Sequence, residues 1–204
     1  MTAHSSRDKR MRQRIAMEAA RLMAEHGISD YYAAKRKAAH QLGASDTHNM
    51  PRNEEVEQAL GTYQRLFQAE LQPRQLRALR TAAVQAMRLL EPFQPRLVGS
   101  VLSGTAHAHS DVNLHLFTDV PEEVGVSLLQ HEIPHETHAR QMRWGSEEMP
   151  LRVPAYRFVA GEMVIDLTVF AVSGLRQAPR SPVDGRPMRR LALEGLLSLL
   201  EEES

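Results

Sequence analysis

Apolar residues recur at helical spacing through the first half of the chain and at alternate positions through much of the second. From about Lys9 to His26, the residues Ile15, Ala19, Leu22 and Met23 share one helical face, and His26-Gly27 makes a C-terminal stop. Ser29 or Asp30 can cap a second helix from Tyr31 to Leu42, ended by Gly43. A third helix is expected from Glu54 to Leu71 after a polar loop from Ser45 to Asn53. Asn53 is its candidate cap, Glu54 and Glu55 suit its N-terminal dipole, and Val56, Leu60, Tyr63, Leu66 and Phe67 supply its apolar stripe. Gln72-Pro73 breaks it. Leu76, Leu79, Ala83, Ala86, Met87 and Leu90 then form a fourth helical face, stopped by the segment from Glu91 to Pro95.

Beyond Pro95 the period changes. Leu97-Val98 is a short apolar run ending in Gly99-Ser100, and Asp111 to Phe117 alternates like a strand with one buried face, as does Met163 to Phe170. Between them, Pro121 to Gln130 reads as an acidic-ended helix that crosses one face of a sheet. Glu132 to Trp144 and Leu151 to Phe158 read as strands joined by the polar turn Gly145-Ser146-Glu147-Glu148, and Gly161-Glu162 reads as a hairpin turn into the last strand. Such a meander would set Asp166 beside the Asp111 strand. Leu191 to Glu203 is an amphipathic helix whose acidic end opposes the helix dipole and is expected to fray. The fold class is therefore α+β, a helical region over 1–92 followed by a mixed sheet flanked by helices over 93–204.

Composition changes this picture little. The 204 residues are 42% hydrophobic, an ordinary globular value that gives disorder no support. Lys and Arg number 25 against 25 Asp and Glu, so no whole-chain field draws the protein to nucleic acid or membrane. There is no cysteine, which excludes disulfides and thiolate metal sites and suits a reducing compartment. With a polar, basic N-terminus and no run approaching a membrane span, a cytoplasmic location without membrane association is expected.

The chemistry is concentrated from Leu97 to Phe170. Period two puts Asp111, Asn113 and His115 on one side of their strand, and Asp166 sits among β-branched and aromatic residues. A buried carboxylate needs a partner, and a metal ion shared with Asp111 is one. Gly99-Ser100, a ten-residue spacer, Asp111-Val112-Asn113-Leu114 and a later strand Asp together resemble the signature of the DNA polymerase beta-like nucleotidyltransferase superfamily.

The resemblance covers roughly Leu97 to Phe170 and implies a metal-dependent transfer of a nucleoside monophosphate from a nucleoside triphosphate to an acceptor it does not identify. It implies that Gly99 and Ser100 hold nucleotide phosphates, that Asp111 and Asp166 are catalytic and bind Mg2+ (or Mn2+), and that Asn113 falls where the family has its second acid. An amide oxygen can ligate but brings no charge, so metal binding should weaken. A slow enzyme, a one-metal enzyme and a non-catalytic nucleotide-binding or regulatory protein all stay open. His107, His109 and His115 are possible additional ligands.

From Gly174 to Arg190 the chain is basic, with five arginines and one acid, and could reach over a bound triphosphate; Arg176 and Arg180 lie nearest the strand. The alternative is a surface loop whose arginines pair with glutamates. Arg10, Arg12, Arg14, Lys35, Arg36 and Lys37 around the first two helices invite a helix-turn-helix or RNA-binding reading, for which a solvated helical face is the stronger rival. His131 to His138 holds three histidines and two glutamates, but Pro134 interrupts it and no helical i, i+4 pair supports zinc.

Overall fold

The computed structural model describes residues 3–45, 47–107, 109–144 and 149–203, with the side chains of 3–7 set aside. The chain falls into two compact units. One comprises the residues up to Pro73 with His107, His109 and Pro182–Asp184; the other comprises Arg74–Ala106, Ser110–Ser181 and the residues from Gly185 on.

The first unit contains α1 (Ala3–His26), α2 (Tyr31–Gln41) and α3 (Asn53–Phe67). Its core is small: Ile15, Ala19, Leu22 and Met23 of α1 pack with Ala34 and Ala38 of α2 and Val56 and Leu60 of α3. Alanines at these positions let helix backbones approach closely. Asp30 caps α2, its side chain accepting from the Ala33 amide at 2.6 Å. The cap of α3 is Arg52 rather than Asn53; the Arg52 amide donates to Glu55 at 2.7 Å, while Asn53 Oδ1 accepts from Lys35 Nζ at 2.8 Å. Arg12 forks onto Glu55, with Nε at 2.9 Å, and also reaches Asn49. Arg12 and Lys35, two of the cations behind the nucleic-acid reading, are thus engaged inside the unit.

The helix α3 stops at Phe67, four residues short of the expected Leu71, and α4 (Leu71–Leu89) starts before Pro73. Proline is compatible with the first turn of a helix, where its missing N–H has no partner to lose. Pro73 opens the next helix rather than ending the last.

The second unit is a five-stranded mixed sheet in the order β1-β2-β5-β4-β3, with β1 at Arg96–Val98, β2 at Val112–Phe117, β3 at His135–Met142, β4 at Leu151–Ala160 and β5 at Met163–Phe170. Only β2 and β5 run parallel; the other neighbours are antiparallel. Short α5 (Ser100–Ser103) follows β1, and α6 (Glu122–Gln130) makes the crossover out of β2. The expected turn from Gly145 to Glu148 lies outside the described residues. The other, at Gly161-Glu162, joins β4 to β5.

One sheet face is apolar. Leu114 and Leu116 of β2, Ile165, Leu167 and Val169 of β5, and Tyr156 and Phe158 of β4 pack with Leu79, Ala83 and Met87 of α4, Val124 and Leu128 of α6, and Leu196 of α7 (Leu193–Glu202). The acidic end of α7, expected to fray, meets cations of α4. Arg80 of α4, 3% exposed, pairs with Glu203 and donates Nε to the Val101 carbonyl at 3.2 Å, and Arg77 Nη1 donates to the Leu200 carbonyl at 3.3 Å. Cations from another helix supply what the end of α7 lacks in its own sequence. No helix among the described residues is long and apolar enough to cross a membrane.

Candidate functional site

The other face of the sheet carries the chemistry. Alternation along β2 puts Asn113, His115 and Phe117 there, and parallel pairing aligns them with Asp166, Thr168 and Phe170 of β5. Antiparallel pairing sets Arg157 of β4 opposite Asp166, and β3 brings His138 and Arg140 alongside. The face is charged at the Asp166 end of β5 and aromatic at the Phe170 end.

Asp166 is the centre of the charged end. Its side chain is fully buried, and one of its oxygens, Oδ2, meets Arg157 Nη2 at 2.9 Å, Arg157 Nε at 3.1 Å, Arg140 Nη2 at 3.1 Å and His138 Nε2 at 3.5 Å. Its other oxygen, Oδ1, is buried and accepts no hydrogen bond from the described residues. Arg157 Nη2 also reaches Asp111 Oδ2 at 3.3 Å, so a single guanidinium bridges the two acids. Burial raises the pKa of Asp111 above the usual carboxylate value; Arg157 opposes the shift and Asp166 adds to it.

Asn113 is held by its own strand, its amide Nδ2 donating to the Asp111 carbonyl at 3.1 Å. Val98 of β1 pairs with Asn113, so the turn after β1 arrives beside it. Gly99 caps α5 with φ 75° and ψ −154°, a conformation open to glycine and strained for other residues. A side chain there would meet Asn113 Nδ2 only at 3.7 Å, so backbone conformation rather than space requires the glycine. Gly99, Ser100, Asp111, Asn113 and Asp166 are therefore brought to one end of one sheet.

The remaining candidates lie elsewhere. Arg176 and Arg180 are exposed and leave β5 at its C-terminal end, whereas Asp166 lies in its first half; Arg180 Nη1 donates to the Gly185 carbonyl at 3.2 Å. Neither is among the partners of Asp111 or Asp166. His115 is 1% exposed and is a packed side chain: its Nδ1 accepts from Arg190 Nε at 3.1 Å and its ring meets Phe170 edge-on at 4.6 Å. Burial, reinforced by Arg190 and Arg140, pushes its pKa down to about 3, so it is neutral in ordinary buffers. His107 and His109 belong to the first compact unit. In the histidine-rich segment, His131 and His135 bond through Nδ1 to the Ser127 and Ile133 carbonyls, and only His138 reaches the acids.

Arg140 and Arg157 are residues that sequence reasoning did not single out, and His138 entered it only as part of the histidine-rich segment weighed for zinc. Arg157 alternates with Tyr156 and Phe158 as an ordinary outward position would, and only its register opposite Asp166 distinguishes it.

A cleft of about 770 Å3 opens at the opposite, C-terminal ends of β2 and β5, lined by Thr118, Trp144, Val153, Phe170 and Gln177 among others. Neither Asp111 nor Asp166 lines it.

Among the described residues no cluster of three or more His, Asp or Glu side chains converges as a metal cage. Mg2+ is nevertheless commonly held by one or two carboxylates, with substrate phosphates and water completing its shell. Two acids that converge, one with an unpartnered buried oxygen, suit that mode and do not suit a cation held by protein alone. Comparison of the chain with protein-family models, with curated proteins and with solved structures gives no match. The class that the fold defines is a mixed α/β protein with a five-stranded sheet.

Proposed function

We propose that the sheet unit is a nucleotidyltransferase-like domain that binds a nucleoside triphosphate together with a divalent ion, Mg2+ or Mn2+, and transfers the nucleoside monophosphate to an acceptor hydroxyl or amine. The observation that carries the reading is the convergence of Asp111 and Asp166, 55 positions apart by their residue numbers, on one guanidinium, beside a Gly-Ser turn that leads into a helix. In this reading the acceptor oxygen or nitrogen forms a bond to the α-phosphorus as the bond from that phosphorus to the bridging oxygen breaks; pyrophosphate leaves with the bonding electrons, and the acceptor's proton passes to solvent. Asp111 and Asp166 would hold the ion, whose part is to neutralise charge on the phosphates. Asn113 contributes an uncharged oxygen at most, and Gly99 and Ser100 present backbone and hydroxyl groups to the phosphates. Most of such catalysis is positioning and electrostatics, so it asks little acid–base chemistry of the side chains.

Calorimetric titration with a non-hydrolysable ATP or GTP analogue tests this, with and without Mg2+ or Mn2+. Metal-dependent binding that Asp111→Ala abolishes is the expected result; binding that ignores both metal and the substitution overturns the reading.

A second reading makes the domain a catalytically degenerate nucleotide-binding or regulatory protein, acting through RNA or a protein partner. Asn113 favours it, because its amide nitrogen is committed to the Asp111 carbonyl and it brings no charge to a second ion. Asn113→Asp should raise metal affinity under either reading. Pyrophosphate release by the native chain separates them.

A further inference from the structure

The acid pair is already bridged by a cation, and that cation is a side chain. Arg157 is not a surface residue that happens to lie nearby: backbone pairing of β4 with β5 fixes it opposite Asp166, and its guanidinium reaches both Asp166 Oδ2, at 2.9 Å, and Asp111 Oδ2, at 3.3 Å. Its place is that of a positive charge shared between two carboxylates, which is also the place of a divalent ion shared by them. Three further observations bear on what it can do.

The Arg157 side chain is 43% exposed and that of Asp111 is 32% exposed, so the bridge faces solvent and the guanidinium can turn outward without opening the core. Asp166 would not be stranded by that movement, because Arg140 Nη2 stays at 3.1 Å and His138 Nε2 at 3.5 Å from the same Oδ2. The buried Oδ1 of Asp166 has no donor to lose. A buried carboxylate normally has both oxygens satisfied. Here one oxygen carries every protein cation and the other carries none.

We propose that Arg157 is an internal counter-ion that bridges Asp111 and Asp166 in the free protein and, when a metal–nucleotide complex enters, yields the acids to the divalent ion and turns its fork to the phosphates. This rests on the reading of the acid pair as a metal–nucleotide site. The guanidinium is chemically suited to both positions, since the planar fork that spans two carboxylate oxygens also spans two phosphate oxygens. The exchange replaces one charge-assisted pairing by another, so the acids are never left both ionised and unpaired. It also separates metal alone, which must compete with Arg157, from metal with nucleotide, which offers Arg157 a new partner.

Two binding constants on three proteins test the proposal: wild type, Arg157→Gln and Arg157→Lys. The first is for Mn2+ alone, by calorimetry and by the Mn2+ electron paramagnetic resonance signal. The second is for a non-hydrolysable ATP analogue at saturating Mn2+. Removing a unit charge within a few ångströms of a divalent ion should tighten Mn2+ binding by Arg157→Gln by about tenfold or more, even after solvent screening. Arg157→Lys keeps the charge and should stay within about threefold of wild type. Analogue affinity should fall in Arg157→Gln by about tenfold, the loss of a charge-assisted fork. Circular dichroism and thermal melting of each variant establish that it is folded, and Arg157→Met, which keeps the aliphatic stem without the charge, takes the place of Arg157→Gln if that variant is not.

Arg157→Gln with unchanged or weakened Mn2+ affinity overturns the proposal, as does an equal gain in Arg157→Lys. In both cases the nucleotide site stands so long as wild type binds the analogue in a metal-dependent way. Absence of Mn2+ binding in all three proteins, with and without analogue, overturns the site reading and this proposal together.

Discussion

His115 makes the stability of the sheet unit depend on pH, and replacing it should remove a defined part of that dependence. The ring is 1% exposed, is stacked edge-on against Phe170 and accepts from Arg190, so a proton on Nδ1 would lose the hydrogen bond and place two cations together. Its pKa is held at about 3, below an ordinary 6.5. Because the folded value lies below the unfolded one, His115 contributes its full stability above about pH 6.5 and loses it as pH falls toward 3. The loss grows by about 1.4 kcal/mol per pH unit and reaches about 3 kcal/mol at pH 4.5.

With a urea m-value of about 2 kcal/mol/M, that is a midpoint shift of roughly 1 to 2 M. The assay is urea unfolding at pH 7.5 and at pH 4.5, followed by fluorescence of the single tryptophan, Trp144, whose ring packs on Phe170 at 5.7 Å. In His115→Asn the new Oδ1 can still accept from Arg190 but does not titrate. The variant will start less stable because it fills less space, yet the drop in its midpoint between the two pH values should be smaller than that of wild type by most of this shift. The other titrating groups are common to both proteins and cancel in the difference. Equal drops would refute the burial argument for His115.

The two acids should respond in opposite directions to the same change. Asp166→Asn puts an amide NH2 beside cations or into the buried position where Asp166 Oδ1 has no partner, and should cost about 2 to 4 kcal/mol in urea unfolding at pH 7. Asp111 has its pKa raised mainly by burial, so its stability contribution is fully present below about pH 3.8 and is lost as pH rises through the higher folded value. Asp111→Asn should therefore be neutral or stabilising at pH 7, with a flatter acid limb; marked destabilisation would show that pairing with Arg157 outweighs desolvation. Gly99→Ala should cost about 1 to 3 kcal/mol through backbone strain alone, because the added methyl has room beside Asn113. An unaffected midpoint would mean that the turn relaxes.

What the sequence by itself determined is the set of elements. Period 3.6 in the first half and period two in the second identify α1 to α4 and the strands, because a side-chain pattern that repeats with the backbone leaves one face to bury. Gly99, Ser100, Asp111, Asn113 and Asp166 could be named as candidates from the sequence, through their spacing and the signature it resembles, and the fold brings them to one end of the sheet. Local signals with two compatible readings were resolved by contact. Pro73 fits the break after α3 and the first turn of α4 alike, and the acidic end of α7 meets Arg80, more than a hundred residues away.

Pairing belonged to the tertiary structure. The sequence of β4 does not say that Arg157 faces Asp166; the β4–β5 register does, and the parallel alignment of β2 with β5 brings Asp111 within reach of the same guanidinium. Arg176 and Arg180 are near Asp166 in the chain but leave the far end of its strand, while Arg140 and His138 are distant in sequence and adjacent across the sheet. Periodicity records which face a residue takes. Which strand lies beside it depends on long-range backbone hydrogen bonds that leave no local mark on the chain.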